Sequence, residues 1–113
     1  MRPESLKYLE DMRQAALSIL EFTAGRTEAD YETDKFLRSA VDRQFEIIGE
    51  ALNRTAKLDA ATAFKITGYR RIIDFRNVLI HGYDIIEHGA VWGAVTDHLP
   101  LLLREVEALL RTD

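Results

Sequence analysis

Apolar residues recur at intervals of three and four along most of this chain, and no stretch shows the sustained alternation of a strand. That period belongs to helices and sets an all-α class before anything else is considered. The first stretch, about residues 5–23, carries Leu6, Leu9, Met12, Ala16, Ile19 and Leu20, with Pro3 just before it and Gly25 just after it as start and stop. A polar loop is expected over 25–32, with Thr33 as N-cap of the second helix. This second helix holds Phe36, Leu37, Ala40, Val41, Phe45, Ile47, Ile48, Ala51 and Leu52, a set wider than one stripe. A helix apolar on more than one face meets more than one neighbour, and the excess is read here as dimer surface. Gly49 interrupts it at a cost of about 1 kcal/mol relative to Ala, which a closely packed backbone would explain.

Residues 57–67 form a connection, with a helical turn expected around 60–64. A third helix follows over about 68–80, with Gly82 placed to terminate it. The last runs from near Ile86 to near Arg111 on a stripe of Val91, Val95, Leu99, Leu102, Val106, Leu109 and Leu110. Pro100 should kink or locally open this helix near Thr96 and Asp97. Four amphipathic helices with short connections make a helix bundle, and 113 residues suit one domain over 1–113.

Composition narrows the setting. Without cysteine there are no disulfides or thiolate metal sites, which fits a reducing cytoplasm. No apolar run approaches the roughly 20 residues of a membrane span, and the opening MRPESLKYLE lacks the apolar core of a secretory signal. The net charge of −4 argues against tight nonspecific nucleic-acid binding. Locally, however, Lys65, Arg70, Arg71 and Arg76 make one segment positive.

That segment carries the chemistry. Arg76 lies four after Ile72 and three before Leu79, so it shares their face of the third helix. An arginine there must be paired or line a cleft. Its guanidinium is always charged and offers a fork of donors suited to phosphate. His81 closes the helix, where the macrodipole favours a cation, and an imidazole gives or takes a proton near neutral pH. Asn77 adds a neutral donor and acceptor. Five residues separate Arg76 from His81, about 140° of rotation at about 100° per residue. The two can converge only if the helix loosens at His81 or if they meet across a dimer axis. Each residue also has an ordinary structural role open to it. Arg76 could be an ion pair with Glu46 or Glu50, His81 a C-terminal cap, Tyr83 a packing aromatic, and Arg70 and Arg71 solvated surface. His88 and His98 read as surface residues, and with His81 they make no recognisable metal site.

The run Arg76-Asn77-Val78-Leu79-Ile80-His81-Gly82-Tyr83 resembles the R-N-x-x-x-H-x-Y motif of the HEPN superfamily, and the tyrosine two after the histidine resembles its HepT-like toxin branch. Tyr8-Leu9-Glu10-Asp11, Phe45 to Ala51, Val91-Trp92 and Asp97-His98-Leu99-Pro100 resemble that branch in order and spacing. The resemblance implies a HEPN-like four-helix bundle that dimerises around one cleft. It implies a metal-independent endoribonuclease, without cofactor, acting on RNA and often on tRNA. Arg76 would hold the scissile phosphate, His81 would act as general base or acid, and Asn77 would support them. Arg70 and Arg71 are candidate RNA contacts. Tyr83 matches the tyrosine to which a cognate minimal nucleotidyltransferase antitoxin adds AMP, so the resemblance implies that protein as partner and ATP as the partner's substrate. The competing expectation is a non-catalytic HEPN module that binds and assists such a nucleotidyltransferase.

Overall fold

The computed structural model describes residues 1–81 and 87–111. The described residues are all helical or connecting, in the order α1 (Pro3–Thr23), α2 (Glu28–Thr33), α3 (Lys35–Leu58), α4 (Ala60–Phe64), α5 (Tyr69–His81), α6 (His88–Gly93), a π-helical turn (Ala94–His98) and α7 (Leu99–Arg111). The long helices α1, α3, α5 and α7 form the expected all-α bundle. Helix α1 packs along α3 and α7, and α3 also carries α5.

The helix boundaries follow from local chemistry. Pro3 opens α1, where its missing N–H costs nothing, and Gly25 ends it at φ 72°, a left-handed conformation glycine adopts freely. The stretch expected as polar loop contains α2. Thr27 and Asp30 close a reciprocal capping box at its start, the arrangement that satisfies two orphan N–H groups at once. Tyr31 on α2 is fully buried, its hydroxyl donating to Asp42 of α3 and its ring meeting His88 edge-on at 5.6 Å. His88 is therefore half-buried against an aromatic, contrary to the surface position expected of it, whereas His98 is exposed. The N-cap of α3 is Asp34, not Thr33, its side chain accepting from the Leu37 N–H. Thr33 closes α2 instead, because α2 and α3 follow one another with a single residue between them.

Helix α3 is the centre of the bundle. It meets α1, α2, α4 and α5, and Leu37, Val41, Phe45, Ile48, Ala51 and Leu52 are all buried within this one chain. Most of its broad apolar surface is taken up inside this one chain, while Phe36, 85% exposed, lies outside the bundle core. The open apolar surface lies on α5, where Leu79 alone is buried, Ile72, Ile73, Phe75 and Ile80 are partly covered, and Val78 is exposed.

Before Pro100 the last helix opens into the π-helical turn, and the Leu99 N–H reaches back five residues to the Ala94 carbonyl. Proline lacks the N–H that would have bonded Thr96, so the turn widens where the sequence places the break. Gly82 and Ile86, expected at the end of the third helix and the start of the last, lie outside the described residues.

The close approach anticipated at Gly49 is present. A Cβ built there would lie 2.2 Å from the Arg76 Cβ and 2.7 Å from its Cγ. Neither is the far end of a flexible chain, so α5 would have to move. In a free helix Gly→Ala gains about 1 kcal/mol; here overpacking reverses the sign, and Gly49→Ala is expected to destabilise by roughly 1–3 kcal/mol. Urea denaturation of the two proteins reads this directly, and a stabilised Gly49→Ala would contradict the packing.

Candidate active site

Glycine at position 49 lets α5 lie against α3, and that contact sets where the Arg76 side chain leaves its helix. The guanidinium extends along α3 and donates through Nη2 to Glu50 Oε2 and through Nη1 to Asn77 Oδ1 at 2.7 Å. Its Nε is buried without a hydrogen-bond partner. Of the two glutamates available to it, Glu50 is the partner; Glu46 faces Arg43 at 3.9 Å.

Glu50 divides its two oxygens between two arginines. Oε2 takes Arg76, and Oε1 takes Arg54 Nε at 2.9 Å from one turn further along α3. Arg54 in turn interacts with Tyr8 of α1. A chain of polar contacts thus runs from α1 through α3 to α5, Tyr8 to Arg54 to Glu50 to Arg76 to Asn77. The Arg54 hydrogen bond, helped by the nearby Arg76 charge, holds the Glu50 carboxyl below its ordinary value despite partial desolvation. Sequence reasoning gave Arg54 no role and named Tyr8 only within the resemblance, although the Glu50–Arg54 spacing of four is the one that pairs charges on a helix.

Arg76, Tyr8, Glu50, Arg54, Ile47 and Ile80 line a cleft of about 390 Å³ between α1, α3 and α5. His81 is exposed at the last residue of α5 and does not line this cleft. Helix α5 stays α-helical through His81, so loosening there does not bring the pair together within one chain. The structure unites Arg76 with Asn77 and leaves His81 turned away by the helical twist. Arg70 lies with its guanidinium 5.6 Å from the Tyr69 ring, and Arg71 lines a separate groove of about 400 Å³ between α3, α5 and α7. Neither reaches the Arg76 cleft. Tyr83 lies outside the described residues. Among those described, no three side chains of His, Asp, Glu or Cys gather as metal ligands, and no helix is long and apolar enough to cross a membrane.

Helix α5 carries Arg76 and Asn77 side by side and His81 at its end, in the order of the motif that the sequence resembles. A family model described as "Ribonuclease HepT-like" matches residues 12–109. "Probable ribonuclease HepT" of Thermococcus cleftensis is 32% identical over 109 residues, covering 96% of this chain and 98% of that protein. "Putative RNase MJ1380" of Methanocaldococcus jannaschii is 33% identical over 100 residues, 88% of this chain and 91% of the relative. From the same organism, "Gamma-glutamylcyclotransferase and putative RNase MJ0434" is 31% identical over 106 residues, 94% of this chain but 47% of the relative, so the chain spans about half of that protein. No solved structure matches the chain. The chain belongs to the HepT-like ribonuclease family, and its activity class is that of a ribonuclease.

Because the folded Glu50 titrates below its unfolded value, its stabilisation is in place above the ordinary carboxylate range and is lost as pH falls through the lowered value. Both partners are partly exposed, at 22% for Arg76 and 37% for Glu50. Glu50→Gln should therefore cost under about 1 kcal/mol at neutral pH and flatten the stability profile below about pH 4. Urea titrations at stepped pH test both parts, and an unchanged acid limb would remove Glu50 from the account.

Proposed function

We propose that this chain is a metal-independent endoribonuclease toxin of a HEPN/nucleotidyltransferase toxin–antitoxin pair of the type VII kind. It acts in the cytoplasm as a single domain over 1–113, cutting RNA, tRNA foremost, at a site composed from two subunits. The observation that carries this reading is the divergence of Arg76 and His81 on a helix that is regular to its end. Residues about 140° apart on one helix act on one phosphate when two copies of that helix face each other. The half-open apolar surface of α5, with Phe75 partly covered and Val78 exposed, supports such a pairing.

In the composite site Arg76 holds the scissile phosphate and stabilises the charge that grows on it, with Asn77 keeping the guanidinium oriented. His81 of one copy takes the proton of the ribose 2′-hydroxyl, whose oxygen bonds to the adjacent phosphorus. The bond from phosphorus to the 5′-oxygen breaks, and that oxygen takes its proton from the second histidine. A 2′,3′-cyclic phosphate and a 5′-hydroxyl leave. AMP added to Tyr83 by the nucleotidyltransferase places bulky negative charge near this site, occupies the phosphate position and repels RNA. The chain itself uses no cofactor; ATP is the partner's substrate.

A second reading, a non-catalytic module that binds and assists a nucleotidyltransferase, draws on the pairing of Arg76 with Glu50, which satisfies the arginine without any RNA. Expression separates the two. A toxin arrests growth alone and is rescued by its partner, and its His81→Ala variant does neither.

Arg76→Ala and His81→Ala are each expected to abolish cleavage of total RNA in EDTA while circular dichroism stays helical. Refolded with increasing amounts of His81→Ala chain, the wild type should lose activity faster than its own dilution, because each mixed dimer keeps only one of the two histidines. Activity that falls only in proportion to the wild-type chain, with light scattering giving a dimer for the mixture, would refute the composite site. A folded, fully active His81→Ala protein would refute the mechanism itself.

A further inference from the structure

Charged side chains of both signs gather around the Arg76 cleft. Lys7 on α1 and Arg43 and Arg54 on α3 line it with Arg76, against the carboxylates of Asp11, Glu46 and Glu50. This local excess of one positive charge sits in a protein of net charge −4. The α3 contribution is a single stripe, since positions 43, 46, 47, 50 and 54 recur at three and four. From Arg43 to Arg54 the stripe runs about 16 Å at ~1.5 Å per residue, and Arg76 joins it at Glu50, between the two. Three arginines are thus strung in a line with the apolar side chains of Ile47 and Ile80 beside them.

The outer arginines are lightly held. Arg43 is 66% exposed and 3.9 Å from Glu46, and Arg54 is 60% exposed on an oxygen of Glu50. Exposed pairs of this kind contribute little, so each can be exchanged for a phosphate at small cost. Arg71 and Arg70 are placed differently, one in the separate groove and the other over Tyr69.

We infer that this cleft is the channel along which an RNA strand reaches Arg76, with Arg43 and Arg54 as phosphate contacts on either side of it. The inference rests on the ribonuclease reading above. It is tested by the binding of a labelled single-stranded oligoribonucleotide to His81→Ala protein across a salt series, so that cleavage does not intervene. Arg43→Ala and Arg54→Ala should each weaken binding about three- to tenfold and lower the salt slope by ~0.7. Arg43→Lys and Arg54→Lys should recover most of the slope, which a merely misfolded variant would not. Arg104→Ala, on the exposed face of α7 and away from the cleft, should change neither quantity. Unchanged affinity and slope in both α3 variants, or an equal loss in Arg104→Ala, would overturn the channel. A wild-type protein that shows the expected salt dependence yet leaves RNA uncut would support the channel and overturn the nuclease mechanism.

Discussion

The approach of α5 to α3 at Gly49 is the constraint from which the site follows. A glycine in the middle of a 24-residue helix is locally unfavourable, and here the absence of a side chain makes room for the Cβ and Cγ of Arg76. Packing at that distance determines the direction in which the guanidinium leaves α5, and hence which carboxylate it meets. Because Glu50 lies one residue after Gly49, the helix that admits the arginine also supplies its counter-charge. Separating the helices would disturb the arginine's geometry and its electrostatic balance together.

Arg76 is held from both sides, by a carboxylate on α3 and by its own neighbour Asn77. A charge fixed in this way would lose little further freedom on holding a phosphate, which is what preorganisation means for the site proposed here. Glu50 has a second effect. By splitting its oxygens between Arg54 and Arg76 it keeps two like charges near one another without leaving either exposed to the other's full repulsion. The overall acidity of the chain is compatible with a basic site because the neutralising groups are interleaved along one helix stripe.

Much of this was legible in the sequence because it depends on local rules. The three-and-four spacing gave the long helices, Gly25 and Pro100 marked a stop and an opening, and Gly49 announced close packing. The motif residues could be named from Arg76 to Tyr83, and Glu50 was one of two partners considered for Arg76. What escaped was short or non-local. Helix α2 has six residues, too few for a period to show, and only Thr27 and Asp30 at capping distance signalled it. The bond from Tyr31 to Asp42 and the edge contact of His88 on Tyr31 join segments whose meeting depends on the assembled fold. The breadth of α3 was visible, but its cause was not, since one central helix among four neighbours and one helix at a subunit boundary show the same pattern.

The widened turn before Pro100 has a meaning for the phase of the last helix. Val91, Val95 and Leu99 are all buried and follow one another at intervals of four. In an unbroken α-helix each such step overshoots a full turn by about 40°, and two in succession would rotate the buried stripe well off the core. Bonding that reaches five residues back spreads the turn over more of the chain and absorbs the overshoot, so that Leu102, Val106 and Leu109 resume on the same side. The proline and the spacing of the apolar residues ask for the same geometry independently. Returning an N–H to position 100 would therefore mend a hydrogen bond without restoring α-helical phase, because the burial of three side chains would still favour the wider turn.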